Sequence, residues 1–221
     1  MKFKPFQLEQ IATAALVDGL IGDWEPGLGK MVFGLAWPLI KDARRCLIVA
    51  PGGLHKQFRD EAMEKFGLHL TDLKHHRQIR PFKLHQPAPA GPTRFFITSY
   101  HDLGYNNTRK GRYPSLAQHL ADLEPKGAGF DCVVIDEGTR LQANDSFLSH
   151  GIRRLAPRFR LVLTGTPIKN RLESIFWLLW WVAGAGEKQS GVALQSRFPY
   201  PGTAEARELF ANQHLMLETA A

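Results

Sequence analysis

Four short runs in this chain are apolar at nearly every position: CLIVAP from Cys46, FFITSY from Phe95, CVVIDE from Cys132 and RLVLTGTP from Arg160. A strand with one wet face alternates apolar and polar residues. A run apolar on both faces therefore predicts a strand covered on both sides, the condition of parallel sheets sandwiched by helices. GLIGDW, just ahead of a glycine loop, is a weaker fifth candidate. Helix-period patterns separate these runs: QLEQIATAALV, KMVFGLAWPLIKDA, LHKQFRDEAMEKF, SLAQHLADL and a segment around FLSHGIRRLA. Strand and helix alternating at this pace predict an α/β fold, a mainly parallel, doubly wound sheet with helices on both faces. With 221 residues, 44% of them hydrophobic, the chain can bury one sizeable core.

Two stretches interrupt the rhythm. IRPFKLHQPAPAGPTR carries Pro81, Pro87, Pro89 and Pro92 and reads as a surface loop, since proline removes backbone donors and cannot occupy a helix interior or central strand. GYNNTRKGRYPS is a polar, basic loop. After Gly186 the pattern loosens into a tail, so residues 1–186 are expected to form one lobe and 187–221 a C-terminal extension. Cys46 and Cys132 each open an apolar run, which predicts buried free thiols. The start, MKFKPFQLEQ, shows no basic leader with an apolar core, so a cytoplasmic location is expected. SIFWLLWWVAGAG is too short for a bilayer span of about 20 apolar residues. No membrane association is expected.

The chemistry gathers just after predicted strands, in DWEPGLGK, APGG, TSY, DEGTR and TGTP. In an open parallel sheet the carboxyl ends of the strands line the ligand crevice, so five distant loops converge on one rim. In the first loop Gly27 and Gly29 can turn backbone N–H groups toward a phosphate, the next helix presents its positive end, and Lys30 adds a charge for the terminal phosphates. The pattern GxxxxGK[ST] is not met, since Trp24 stands at its first glycine and Met31 at its hydroxyl. A glycine turn opening an ordinary helix would produce similar letters. CVVIDE adds an apolar strand ending in adjacent carboxylates, suited to magnesium-dependent phosphate hydrolysis: Asp136 for the metal, directly or through its water, and Glu137 for the attacking water. Two carboxylates can also simply punctuate a strand end in solvent.

Taken in order, WEPGLGKM, LIVAPGGLHKQF, FFITSY, VVIDEGTR and LVLTGTPIKNRLESIFWLL resemble motifs I, Ia, Ib, II and III of the SWI/SNF-type DNA translocases of helicase superfamily two. FKPFQLEQI resembles their Q motif. The resemblance runs from about Phe3 to Trp181 and implies a RecA-like P-loop NTPase lobe, the first of two. It assigns Gln7 to the adenine, the loop of Gly27, Leu28, Gly29, Lys30 and Met31 to the phosphates of ATP, and Asp136 and Glu137 to Mg2+ and water. Thr164, Gly165, Thr166 and Pro167 would couple nucleotide state to DNA contact. Pro51, Gly52, Gly53, Thr98 and Ser99 would touch a DNA backbone, a role that small residues and hydroxyls at loop tips suit, although ordinary turn chemistry uses the same residues. Double-stranded DNA and a second RecA-like lobe, in cis or in trans, are the implied partners.

Three departures qualify this reading. Thr139 stands where many relatives have histidine or glutamine. Met31 replaces a hydroxyl ligand with a thioether, a poor ligand for a hard cation, so partial loss is expected, about 10- to 100-fold. Nothing after Gly186 resembles the second lobe, whose arginine finger is worth about 10³ to 10⁵ in rate. The chain therefore reads as a fragment or truncated form of a DNA-stimulated ATPase, secure in binding and weak in turnover. The alternative is an inert nucleotide- or DNA-binding module derived from one. The charge balance, 28 Lys+Arg against 21 Asp+Glu, suits an anionic partner. His75, His76 and Arg77, with Arg109, Lys110 and Arg112, read as a basic surface or a solvated face. No structural metal is expected. Trp177, Trp180 and Trp181 share one helical stripe, for core packing or for an interface with another lobe.

Overall fold

A computed structural model describes residues 11–23, 27, 29–104, 115–123, 127–141, 151–152, 154–165, 178–179 and 181–183. Six strands, β1 (Gly19–Asp23), β2 (Arg45–Ala50), β3 (Leu70–Asp72), β4 (Arg94–Ser99), β5 (Cys132–Asp136) and β6 (Phe159–Thr164), form one sheet in the order β1-β6-β5-β2-β4-β3. Every pairing is parallel. The described helices are α1 (Lys30–Ile40), α2 (His55–Phe66), α3 (Tyr100–Gly104) and α4 (Leu116–Ala121), besides helical residues at 11–15, 151–152, 178–179 and 181–182.

β2, β5 and β6 are buried at every position, as strands with two covered faces must be. The pleat divides their side chains between two cores. Cys46, Ile48, Cys132, Val134, Leu161 and Leu163 point to one side, where Phe33, Leu35 and Trp37 of α1 and Phe58 and Ala62 of α2 pack. Leu47, Val49, Val133, Ile135 and Val162 point to the other, against Tyr100 and Leu103 of α3 and Leu116, Ala117 and Leu120 of α4. Cys46 and Cys132 are register neighbours, free and buried; burial pushes the Cys132 thiol well above its usual range.

α1 lies close on β5 and β6. A Cβ at Gly34 would stand 2.9 Å from a Leu163 methyl and 3.3 Å from one of Val134, so a larger residue there would lift the helix from the sheet. The proline-bearing segment is not merely a surface loop: Leu84 is fully buried and Ile79 nearly so. Arg45, at the head of β2 and 1% exposed, holds it. Its guanidinium donates to the carbonyls of Lys83, Leu84, Gln86, Pro87 and Gly129. Prolines remove N–H donors from that segment, and the two terminal nitrogens of the Arg45 guanidinium supply replacements. Beside Arg45, the Asp131 carboxylate accepts from the backbone N–H of Arg44 at 2.7 Å and of Arg45 at 2.8 Å.

The expectation missed β3, a three-residue edge strand. Arg59 of α2 clasps it through Asp72, with both carboxylate oxygens 2.9 Å away.

Candidate nucleotide site

Because all strands run parallel, Asp23, Ala50, Ser99, Asp136 and Thr164 end on the same rim. The loop after β1 crosses to α1. Gly27 and Gly29 have φ of 87° and 90°, left-handed values that glycine adopts without a Cβ penalty. Gly29 is the N-cap of α1 and accepts the N–H of Phe33 at 3.0 Å, and no side chain caps the helix. Free N–H groups and the positive end of the helix dipole thus face the rim, with Lys30 as first helical residue. Gln7 and Leu28 lie outside the described residues.

Period two along β5 puts Asp136 on the same face as Cys132 and Val134, the face that α1 covers. Asp136 is 5% exposed. Burial, and next the neighbouring Glu137 charge, raise its pKa from 3.8 to about 6, while Lys30 and the Glu137 backbone N–H pull it down. Lys30 and Asp136 are therefore close enough to interact, as a phosphate- and metal-binding pair requires. Glu137 is half-buried and has φ 59°. A left-handed conformation costs a non-glycine residue about 1 to 2 kcal/mol. The single proton of the Tyr100 hydroxyl accompanies it, donated chiefly to the Asp136 carbonyl at 2.5 Å with the Glu137 carbonyl farther off at 3.4 Å.

This donor set fits Mg2+ with a nucleotide. The Asp136 carboxylate is still driven toward its neutral form because the charge of Lys30 does not offset burial and Glu137, and Mg2+ takes one or two protein carboxylates with the rest of its shell from water and phosphate. Among the described residues no group of three or more His, Cys, Asp or Glu could hold a metal by itself. Met31 offers nothing to such an ion: it is half-buried and packs against the apolar cluster beneath α1.

Farther along the rim, Pro51 is half-buried while Gly52 and Gly53 are exposed in a 3-10 turn leading into α2. Ser99 is half-buried. Its hydroxyl accepts the N–H of Asp102 at 3.0 Å and donates to the Asp102 carboxylate at 2.8 Å, a reciprocal cap on α3. Thr98, expected at a DNA backbone, is 0% exposed, and its hydroxyl oxygen has no hydrogen-bond partner among the described residues. The pleat that exposes Ser99 turns Thr98 inward, so among these residues the surface belongs to Pro51, Gly52, Gly53 and Ser99. Thr164 is buried and Gly165 half-buried at the end of β6; Thr166 and Pro167 are outside the described residues. Thr139 is buried in the turn after Glu137.

The other candidates separate. Trp181 is 1% exposed and its indole N–H donates to Leu155 O at 2.8 Å, which is core packing and leaves no exposed stripe at that position. Trp177 and Trp180 are outside the described residues, as are Arg109, Lys110 and Arg112. His76 stacks on His119 with centroids 4.6 Å apart, and burial together with His119 lowers its pKa. A recess of about 270 Å³, bounded by Ala88 and residues 127–131 and 156–158, sits at the opposite edge of the sheet, where β5 and β6 begin. No described helix is long and apolar enough to cross a membrane.

Sequence reasoning missed Tyr100 and Arg45. The signal for Arg45 was a charge heading an apolar run in a chain with a segment poor in N–H donors; Tyr100 stood within TSY, but its partner lies 36 positions away and left no local signal.

A six-stranded parallel sheet wrapped by helices, with a glycine-lysine loop and an acidic strand end on one rim, defines a RecA-like P-loop NTPase lobe. Residues 12–216 match the SNF2-related domain, and the chain belongs to that family. It is 28% identical over 181 residues to the DNA repair protein rhp54 of Schizosaccharomyces pombe, covering 73% of this chain and 20% of that protein. It is 27% identical over 165 residues to the DNA repair and recombination protein RAD54B of Gallus gallus, covering 70% and 16%. The solved Sulfolobus solfataricus SWI2/SNF2 ATPase core in complex with dsDNA superposes with a TM-score of 0.63 at 17% identity, over 96% of this chain and 42% of that one. The chain thus spans a fifth or less of these two curated relatives and under half of the solved core.

Proposed function

We propose that this chain is the ATP-binding lobe of a double-stranded-DNA-stimulated ATPase and translocase, hydrolysing ATP when a second RecA-like lobe joins it in cis or in trans. The observation that carries this reading is the buried Asp136 carboxylate, raised to about 6, under the N-terminus of α1 with Lys30 beside it. In this reading the N–H groups around Gly27 and Gly29, with Lys30, bind the phosphates; Asp136 holds Mg2+, directly or through water; Glu137 orients the attacking water. Mg2+ supplies charge neutralisation across the transferring phosphoryl group. Pro51, Gly52, Gly53 and Ser99 meet the duplex backbone, and Thr164, Gly165 and Thr166 relay nucleotide state. A solved relative described as an ATPase core in complex with dsDNA supports the choice of partner.

Charge developing on the phosphoryl group needs arginines reaching across a cleft, worth about 4 to 7 kcal/mol at 10³- to 10⁵-fold. The chain alone is accordingly expected near background. Steady-state phosphate release with duplex DNA, with and without a matching second lobe in trans, tests this. Turnover above about 1 s⁻¹ by the chain alone, within the ordinary enzyme range, would show a self-sufficient or self-assembling lobe.

A second reading, an inert nucleotide- or DNA-binding module, is favoured by Met31, whose side chain is committed to the apolar cluster. Phosphate release that stays at background with the second lobe present selects it.

A further inference from the structure

Among the described residues, the side chain of Tyr100 links the cleft to the end of β4. β4 and β5 are not neighbours: β2 runs between them, so their ends stand about 10 Å apart at the usual strand spacing. Tyr100 immediately follows Ser99, the last residue of β4, and opens α3. Its ring, 4% exposed, packs in the core under α3 and α4, and its hydroxyl crosses past the end of β2 to donate its one proton chiefly to the carbonyl of Asp136, with that of Glu137 within reach. Those carbonyls belong to the turn in which Glu137 adopts its left-handed backbone. At the other end of the link, Ser99 spends its hydroxyl on the Asp102 cap.

A phosphate oxygen arriving at Ser99 competes with the Asp102 carboxylate for the hydroxyl proton. Any change in that cap acts on the first turn of α3, and Tyr100 is its first residue. Resting on the reading of Ser99 as a backbone contact and Glu137 as the water-orienting group, we propose that Tyr100 is a positioning residue that couples duplex engagement to Glu137. It touches neither ligand. Its hydroxyl sets the turn that aims the glutamate, and its backbone belongs to the element the duplex perturbs.

Linkage gives a test independent of turnover. If the two sites are coupled, nucleotide changes duplex affinity by the same factor as duplex changes nucleotide affinity. Anisotropy of a short fluorescein-labelled duplex, titrated with the full chain with and without saturating Mg2+ and an imido analogue of ATP, reads that factor. The wild type should show at least about 5-fold coupling, the lower end of ordinary allosteric effects. Tyr100→Phe keeps the ring and removes only the hydroxyl; it should bring the factor to near one while each ligand alone binds as in the wild type. A merely structural tyrosine would lower both affinities or the melting temperature and leave the factor intact. Where Tyr100→Phe fails to fold, Ser99→Ala, which removes the cap from the other end, must also abolish coupling; a factor kept in that variant overturns the proposal. Wild-type coupling that survives Tyr100→Phe, or wild-type binding of both ligands without coupling, overturns this inference alone. A wild type that binds neither ligand overturns the ATPase reading beneath it.

Discussion

Replacing Asp136 by asparagine should stabilise the ligand-free protein at and above neutral pH, although it removes a group central to the proposed chemistry. The carboxyl is 5% exposed and titrates near 6 against 3.8 when free, first because burial disfavours its charge and next because Glu137 stands beside it. A folded-state pKa raised above the unfolded value means that the folded chain holds a proton the unfolded chain has released. Stability therefore falls as pH rises from about 4 to about 6, and the full cost is present above that window. At 1.36 kcal/mol per decade of acidity, the difference corresponds to about 3 kcal/mol. For a domain of this size that is a rise of about 6 to 12 °C in melting temperature for Asp136→Asn. Asparagine has nearly the same shape and no charge to lose. Urea and thermal melts of both proteins near pH 8, 5 and 3, without nucleotide or metal, should show the advantage in full, then shrunken, then gone, as both states of the wild type become protonated. Mg2+ with nucleotide should narrow the gap by stabilising the wild type more than the variant. Equal stability near pH 8, or a variant that is less stable there, would refute the assignment of Asp136 as a buried carboxylate awaiting a cation.

Three further outcomes are expected. Lys30→Ala should abolish Mg–nucleotide binding measured by calorimetry, since Lys30 is the side-chain cation of the loop; equal affinity would remove the phosphate-loop assignment. Met31→Thr should tighten the magnesium dependence of nucleotide binding yet lower thermal stability, because it gives up apolar contact beneath α1; an unchanged magnesium dependence would place the metal elsewhere. Duplex binding should be independent of sequence and weaken with salt at a slope of about −0.9 for each phosphate neutralised, with only a few phosphates engaged; tight, salt-insensitive, sequence-selective binding would contradict backbone tracking.

The fold was legible because its strands are extreme: five-residue runs such as CVVID have no polar face and admit few environments other than the middle of a covered parallel sheet. The rim was legible for the same reason, since parallel strands put all their carboxyl ends together. What could not be read was direction and distance. Thr98 and Ser99 are adjacent hydroxyls in one motif, and only the pleat decides that one is buried and the other reaches the surface. Met31 could be recognised as a missing ligand, but its seat in the apolar cluster depends on how α1 lies on β5 and β6. β3 has three residues, too few for any period to show. The proline segment looked like a loop because its anchor, Arg45, is about 40 residues away in sequence and is recognisable only once β2 and that segment are adjacent.

Arg45 and Asp136 also sit at the two edges of the sheet and differ in their response to acid. A guanidinium keeps its proton throughout the range in which proteins fold, so the five carbonyl contacts at the base of β2 are indifferent to pH. The rim gains or loses a charge near pH 6 at Asp136. Mild acidification therefore discharges the Asp136 side of the cleft that would hold the metal while the Arg45 guanidinium at the opposite edge keeps its charge and its carbonyl contacts.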